Sequence, residues 1–159
     1  MKENTRRLLF LILFAEVFYH TGAHISQAFV NYPAWGFISM DSFPKYHFVM
    51  KYKAGAFLLL PRIIELLLAG IVLWFPPAAL KRSLIVLAIA LALISFLSTA
   101  LIQKPIHDQL ESIGNTSELL ARLRSTGWLR LIAEWFRAAL YFWMMYLLIR
   151  PQSQFRKES

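Results

Sequence analysis

The chain reads as an all-α integral membrane protein: an antiparallel bundle of four transmembrane helices with two structured outer loops. Three observations point there. Hydrophobic residues make up 58% of the 159 residues and charged residues only 16%, against about 25% charged in an ordinary soluble domain. Four apolar runs reach the roughly 20 residues a bilayer crossing needs. Basic residues cluster beside those runs, where they act as topology signals. The length suits a single transmembrane domain over 1–159.

The first run covers about residues 8–30. Its start, with Lys2, Arg6 and Arg7 before a short apolar core, resembles a signal peptide. Thr21-Gly22-Ala23 is a poor cleavage site, so the segment reads as an uncleaved first helix. The second run covers about 55–75 and stops at Pro76-Pro77. The third covers about 83–102 and the fourth about 128–149; the second and fourth contain charges. Tyr52, Trp74, Trp128 and Tyr146 fall near the ends, as interfacial aromatics do.

Lys and Arg set the orientation. Lys2, Arg6 and Arg7, then Lys81 and Arg82, then Arg150, Arg156 and Lys157 sit in three short segments on one side. Lys45, Lys51, Lys53, Lys104, Arg122, Arg124 and Arg130 are spread over two longer loops on the other. The density places both termini in the cytoplasm, as in a protein of a bacterial inner membrane. The loop from Asn31 to Phe48 is aromatic and rich in turn residues, suited to capping the outer mouth of the bundle. The second loop opens with Pro105, breaks at Gly114-Asn115 and resumes as the amphipathic S-E-L-L-A-R-L-R, which suits the membrane interface. The tail Q-S-Q-F-R-K-E-S reads as solvated.

The absence of cysteine removes disulfides, thiolate metal sites, Fe–S clusters and thiol redox chemistry. The net charge of +8 is not a nucleic-acid signal, because the basic residues flank apolar runs. No nucleic-acid partner is expected; the lipid bilayer and a lipophilic small molecule are.

The first helix carries a polar stripe. At about 100° per residue, Glu16, His20, His24, Gln27 and Asn31 fall within roughly 80° of one another. Ionisable groups are costly against lipid, so this stripe should face the bundle interior. The second helix answers with Arg62 and Glu65, and the fourth with Glu134 and Arg137; each pair is spaced i,i+3 on one face. His24, Arg62, Glu134 and Arg137 come out roughly 7–14 Å below the outer surface by helical rise. The third helix offers only Ser95, Ser98 and Thr99, suited to helix–helix contacts.

On this topology all four histidines lie in, or open toward, the outer half. His20 and His24 at i,i+4 can share one ion, and His47 and His107 could close the site from the loops. Nitrogen and oxygen ligands suit copper, iron or zinc, with Asp108, Asp41 or Glu16 as further ligands or as orienting groups. Neutral histidines hydrogen-bonded in a polar core are the plainer alternative, as are purely structural ion pairs for Arg62, Glu65, Glu134 and Arg137.

The segments "NYPAW", "FPKYH", "KPIHDQL" and "STGWLRLIAEWFRAAL" follow one another behind that polar first helix. In this order the chain resembles the DUF1772 group of four-helix membrane proteins, which includes the anthrone-oxygenase-like proteins. The matching positions are Pro105, Leu110, Trp128, Arg130 and Arg137. The resemblance implies four helices and, for the anthrone-oxygenase branch, oxygen insertion into a lipophilic phenolic substrate.

The expected function is a metal-dependent membrane oxidoreductase acting on a lipophilic small molecule. His20, His24, His47 and His107 would bind the metal, Glu16 or Glu134 would move protons, and Arg62 or Arg137 would hold an anionic or phenolate group. The alternative is a non-catalytic protein that binds a lipid, a quinone or a partner subunit. A transporter comes third and would need to form a homo-oligomer.

Overall fold

The computed structural model describes residues 1–150; the tail expected to be solvated, with Arg156 and Lys157, lies outside the described residues. Among those described, the only regular structure is helical. It forms four long helices: α1 Glu3–Phe37, α2 Phe43–Trp74, α3 Arg82–Ile113 and α4 Ser117–Ile149. Each is long and apolar enough to cross a membrane. The end of the bundle with the 38–42 and 114–116 turns is called upper below, and the end with Glu3 and Arg82 lower.

All four helices outrun the apolar windows that located them. The Asn31–Phe48 loop shrinks to a short turn, and the second loop shrinks to Gly114–Thr116. His47 and His107, expected just outside helices, therefore sit within α2 and α3. The amphipathic piece at Ser117 is the first two turns of α4 and not a separate interfacial element. Hydropathy sees only apolar side chains, whereas a helix continues wherever one face can be buried. Here Ile106, Leu110, Leu119, Leu120 and Leu123 supply that face beyond the apolar windows. Thr116 caps α4, its hydroxyl accepting from the Leu119 N–H at 3.3 Å.

Prolines account for the next feature. Each of α1, α2 and α3 widens into one π-helical turn, at Gln27–Asn31, Gly55–Leu59 and Thr99–Gln103. Pro33, Pro61 and Pro105 each stand two residues past a widened turn. A proline has no N–H for the carbonyl four residues back and its ring crowds that carbonyl. Those carbonyls belong to Phe29, Phe57 and Leu101, the middle residue of each wide turn. Inserting one residue into the turn relieves the clash without ending the helix. One freed acceptor is recovered: the Tyr19 hydroxyl donates to the Phe57 carbonyl at 2.7 Å. In α4, which has no proline, the ladder runs without a wide turn.

The inserted residue shifts each helix face by one position. The heptad step from His24 leads to Asn31 in a regular helix, yet Tyr32 is the residue buried there. From His47, two heptads lead to Pro61, but Arg62 is buried. From Ser95 the step leads to Ile102, but Gln103 is buried. In α4 the count stays in phase: Leu123, Arg130, Arg137 and Met144 are all buried at intervals of seven.

Two apolar clusters bracket the bundle. The lower holds Phe10, Leu13, Val17, Val72, Ile85, Tyr141 and Met144, with Phe10 stacked on Tyr141 at 5.8 Å. The upper holds Tyr32, Trp35, Phe43, Ile106, Leu110 and Leu123. The polar residues lie between them. The outside is apolar: Leu101, Phe136 and Leu67 are 71%, 66% and 65% exposed. A continuous surface of this kind suits lipid contact and not water, which fits an integral membrane protein.

Candidate functional site

The sequence puts Arg62 and Glu65 on one face of α2, and Glu134 and Arg137 on one face of α4. Packed together, they close a ring of alternating charge. Arg62 donates to Glu65 at 2.8 Å and to Glu134 at 2.6 Å. Arg137 donates to Glu134 at 2.5 Å and to Glu65. Glu134 is fully buried and Arg137 only 1% exposed. Two positive and two negative charges sum to zero, so the ring satisfies itself. Buried ions need such pairing, because desolvation alone would cost several kcal/mol per ion.

The rest of this layer serves the ring. The Ser95 hydroxyl of α3 donates to Glu134 Oε1 at 2.5 Å. His20 Nε2 stands 3.7 Å from Glu65 Oε2, and His24 Nε2 stands 3.7 Å from Glu134 Oε1. His24 Nε2 is also 3.4 Å from Arg62 Nη2. All four helices thus converge on one electrostatic unit.

Above the ring lies a cavity of about 500 Å³. Its inner wall is polar and buried, with His20, His24, Arg62, Ser95 and Arg130. Its accessible side is apolar and comes from α2 and α3, through Met50, Ala54, Leu58, Phe96 and Ala100. Of these, Ala54, Leu58 and Ala100 lie at or beside the wide turns Gly55–Leu59 and Thr99–Gln103. The α2 and α3 helices pack below through Leu60–Trp74 and Arg82–Ser98, and above through Phe43–Ala54 and Lys104–Ile113. The wide turns fall between those two contacts, so the apolar side of the cavity is also its lateral side.

At the top, His47 and His107 form a pair. Nε2 of one faces Nδ1 of the other at 2.9 Å, so one nitrogen donates and the other accepts. Their rings are stacked at 5.2 Å. Trp35 meets both edge-on, at 5.3 and 5.8 Å, and Phe43 stacks on His47 at 5.5 Å. At the mouth, Lys51 pairs with Glu111 and, at 3.4 Å, with Asp108, which Lys104 also meets at 2.8 Å.

Against the sequence expectations, the four-membered ring of Arg62, Glu65, Glu134 and Arg137 comes together. The four histidines all line the cavity but form two pairs: His20 and His24 beside the ring, His47 and His107 at the top. Among the described residues, no group of three or more His, Cys, Asp or Glu is placed to hold one metal ion. Asp108 is engaged with lysines, and Asp41 is exposed. Glu16 is half-buried and, like Asn31, lies outside the cavity lining.

The sequence had placed Arg130 in an outer loop. The structure makes it part of the cavity wall, 5% exposed. Its Nη2 donates to the Tyr32 hydroxyl at 3.2 Å and its Nη1 to the Thr99 hydroxyl at 3.4 Å. The signal was present in the spacing: Arg130 precedes Arg137 by one heptad in a helix with no phase slip. Ser95, expected only as a helix contact, is a ring partner. In comparisons with protein-family models, curated proteins and solved structures, nothing matches this chain.

Proposed function

We propose that this protein is a four-helix antiparallel membrane protein that binds a lipophilic small molecule in the cavity above its charged ring. Both termini then face the cytoplasm, the orientation favoured by the Lys and Arg clusters beside the lower helix ends, and the cavity lies in the outer half of a bacterial inner membrane. The observation that carries the proposal is the cavity itself: about 500 Å³, apolar on its lateral side and lined by buried polar groups on its inner side. That division suits a molecule with an apolar body and a polar head. The neutral, self-satisfied ring favours a rigid floor over a proton relay. The resemblance to the anthrone-oxygenase-like proteins belongs with this proposal, since it also implies a lipophilic ligand.

The test is extraction. Protein purified in mild detergent is extracted with organic solvent and analysed by mass spectrometry, beside Ala54→Trp and Ala100→Phe variants that fill the cavity. A small molecule near one equivalent, lost from folded filled variants, is the expected result. Equal content in wild type and variants would place the molecule elsewhere.

One observation favours a second reading, an oxidoreductase acting on the same class of molecule. His47 Nε2 and His107 Nδ1 converge at 2.9 Å; with metal–nitrogen bonds of about 2.0–2.1 Å, that separation fits two imidazoles at about a right angle on copper or iron, whereas a tetrahedral zinc would hold them further apart. Elemental analysis of untagged protein prepared without chelator decides it. About one equivalent of metal, lost in His107→Ala, supports this reading; none after reloading with each ion removes it.

A further inference from the structure

Arginine recurs on α4 at Arg130 and Arg137, seven residues apart, and the two face the same side of one regular helix. The rise of about 1.5 Å per residue separates them by roughly 10 Å. Arg137 is answered by two carboxylates. One is Glu134, three residues before it, and the other is Glu65 from α2. At the next layer the arginine is kept and the acids are not. Gly127 stands three residues before Arg130, where Glu134 stands before Arg137. Among the described residues, no carboxylate lies within ion-pair distance of Arg130. Its two partners are neutral hydroxyls, and its Nε has none.

The charge count is uneven as a result. The ring is neutral. At the mouth, Lys51 and Lys104 balance Glu111 and Asp108. Arg130 alone contributes a net +1 to the cavity wall. A guanidinium stays charged, and a buried charge without a counter-ion is costly. On α2 the residue seven before Glu65 is Leu58, which lines the cavity with Arg130.

We propose that Arg130 is the head-group site for a lipophilic monoanion, its charge on a carboxylate or phenolate oxygen and its apolar body against Met50, Ala54 and Phe96. Arg130 would donate to the oxyanion through its planar fork, with Tyr32 and Thr99 holding the guanidinium in place. This inference rests on the cavity binding a lipophilic small molecule and adds the charge of that molecule.

Gly127 provides the test. A Cβ built there meets nothing within 4 Å, so Gly127→Glu supplies the missing carboxylate with the same spacing as Glu134 to Arg137, while Arg130 itself is kept. Dodecanoate, an alkyl nitrophenolate and dodecanol are titrated into protein in zwitterionic nanodiscs, in alkaline buffer, for wild type, Gly127→Glu, Gly127→Gln and Arg130→Gln. Wild type and Gly127→Gln should bind at least one anion tenfold or more tighter than dodecanol. Gly127→Glu and Arg130→Gln should bring that ratio to about one. The tighter anion names the source of the charge, carboxylate or phenolate. Equal binding of all three probes by wild type, or an anion preference retained in Gly127→Glu, would overturn the head-group assignment and leave the cavity proposal standing. If no probe binds and Ala54→Trp is indistinguishable from wild type, both fail together. Gly127→Glu keeps the head-group assignment testable even where Arg130→Gln does not fold.

Discussion

Glu134 gathers three donors: Arg62 at 2.6 Å, Ser95 at 2.5 Å and Arg137 at 2.5 Å. Glu134→Gln keeps the shape and an oxygen acceptor for Ser95, but it removes two of the four ion pairs and leaves the ring with a net +1. Two magnitudes compete. An interhelical hydrogen bond in a membrane protein averages about 0.6 kcal/mol, whereas breaking a buried ion pair by removing one partner costs about 3–5 kcal/mol. The second should govern, because Glu134 is fully buried and the change orphans charge rather than merely deleting a bond. The assay is unfolding in mixed micelles by increasing SDS, followed by circular dichroism. The single variant should lose about 3 kcal/mol or more. The double variant Glu134→Gln with Arg137→Gln leaves a neutral Arg62–Glu65 pair at 2.8 Å. Its loss should therefore fall at least about 2 kcal/mol short of the sum of the two single losses. A single loss under about 1 kcal/mol, or strict additivity, would refute the ring as a charge-balanced unit.

Three further outcomes are expected. Ser95→Ala, which leaves both arginines on Glu134, should cost about 1–2 kcal/mol in the same assay. Gly114→Ala should cost about 1–3 kcal/mol, because Gly114 has φ +88° and ψ −175°, where side chains are strained, and a Cβ would meet the Met40 carbonyl at 3.4 Å. Asn115 Nδ2 donates to the carbonyls of Trp35 at 2.6 Å and Ile38 at 2.7 Å. Asn115→Ala should therefore speed hydrogen exchange and protease cleavage in the 35–42 turn more than elsewhere; an unchanged local rate would show that the apolar contacts of Trp35 hold the turn alone.

The helical class, the four runs apolar enough to cross a membrane, and the opposite charges on α2 and α4 are all legible in the amino-acid order. These follow from local rules: apolar length, i,i+3 spacing, and the cost of an ion facing lipid. The prolines at 33, 61 and 105 were also legible, but their effect was not. Whether a proline ends a helix or widens one turn depends on whether the chain beyond it finds a buried face, and Trp35, Arg62 and Ile106 find theirs only in the assembled bundle. The widened turns then move each face by one residue. This is why Tyr32 rather than Asn31 points inward, and why a wheel drawn at constant pitch fails above His24. Arg130 is the clearest case. By charge it counts with the basic residues of the outer loops, and only the packing of α1 and α3 against α4 buries it beside two hydroxyls with no acid in reach. Local chemistry sets which residues are charged; the tertiary structure decides which charges are neutralised, because pairing depends on distances between helices that no spacing along one helix contains.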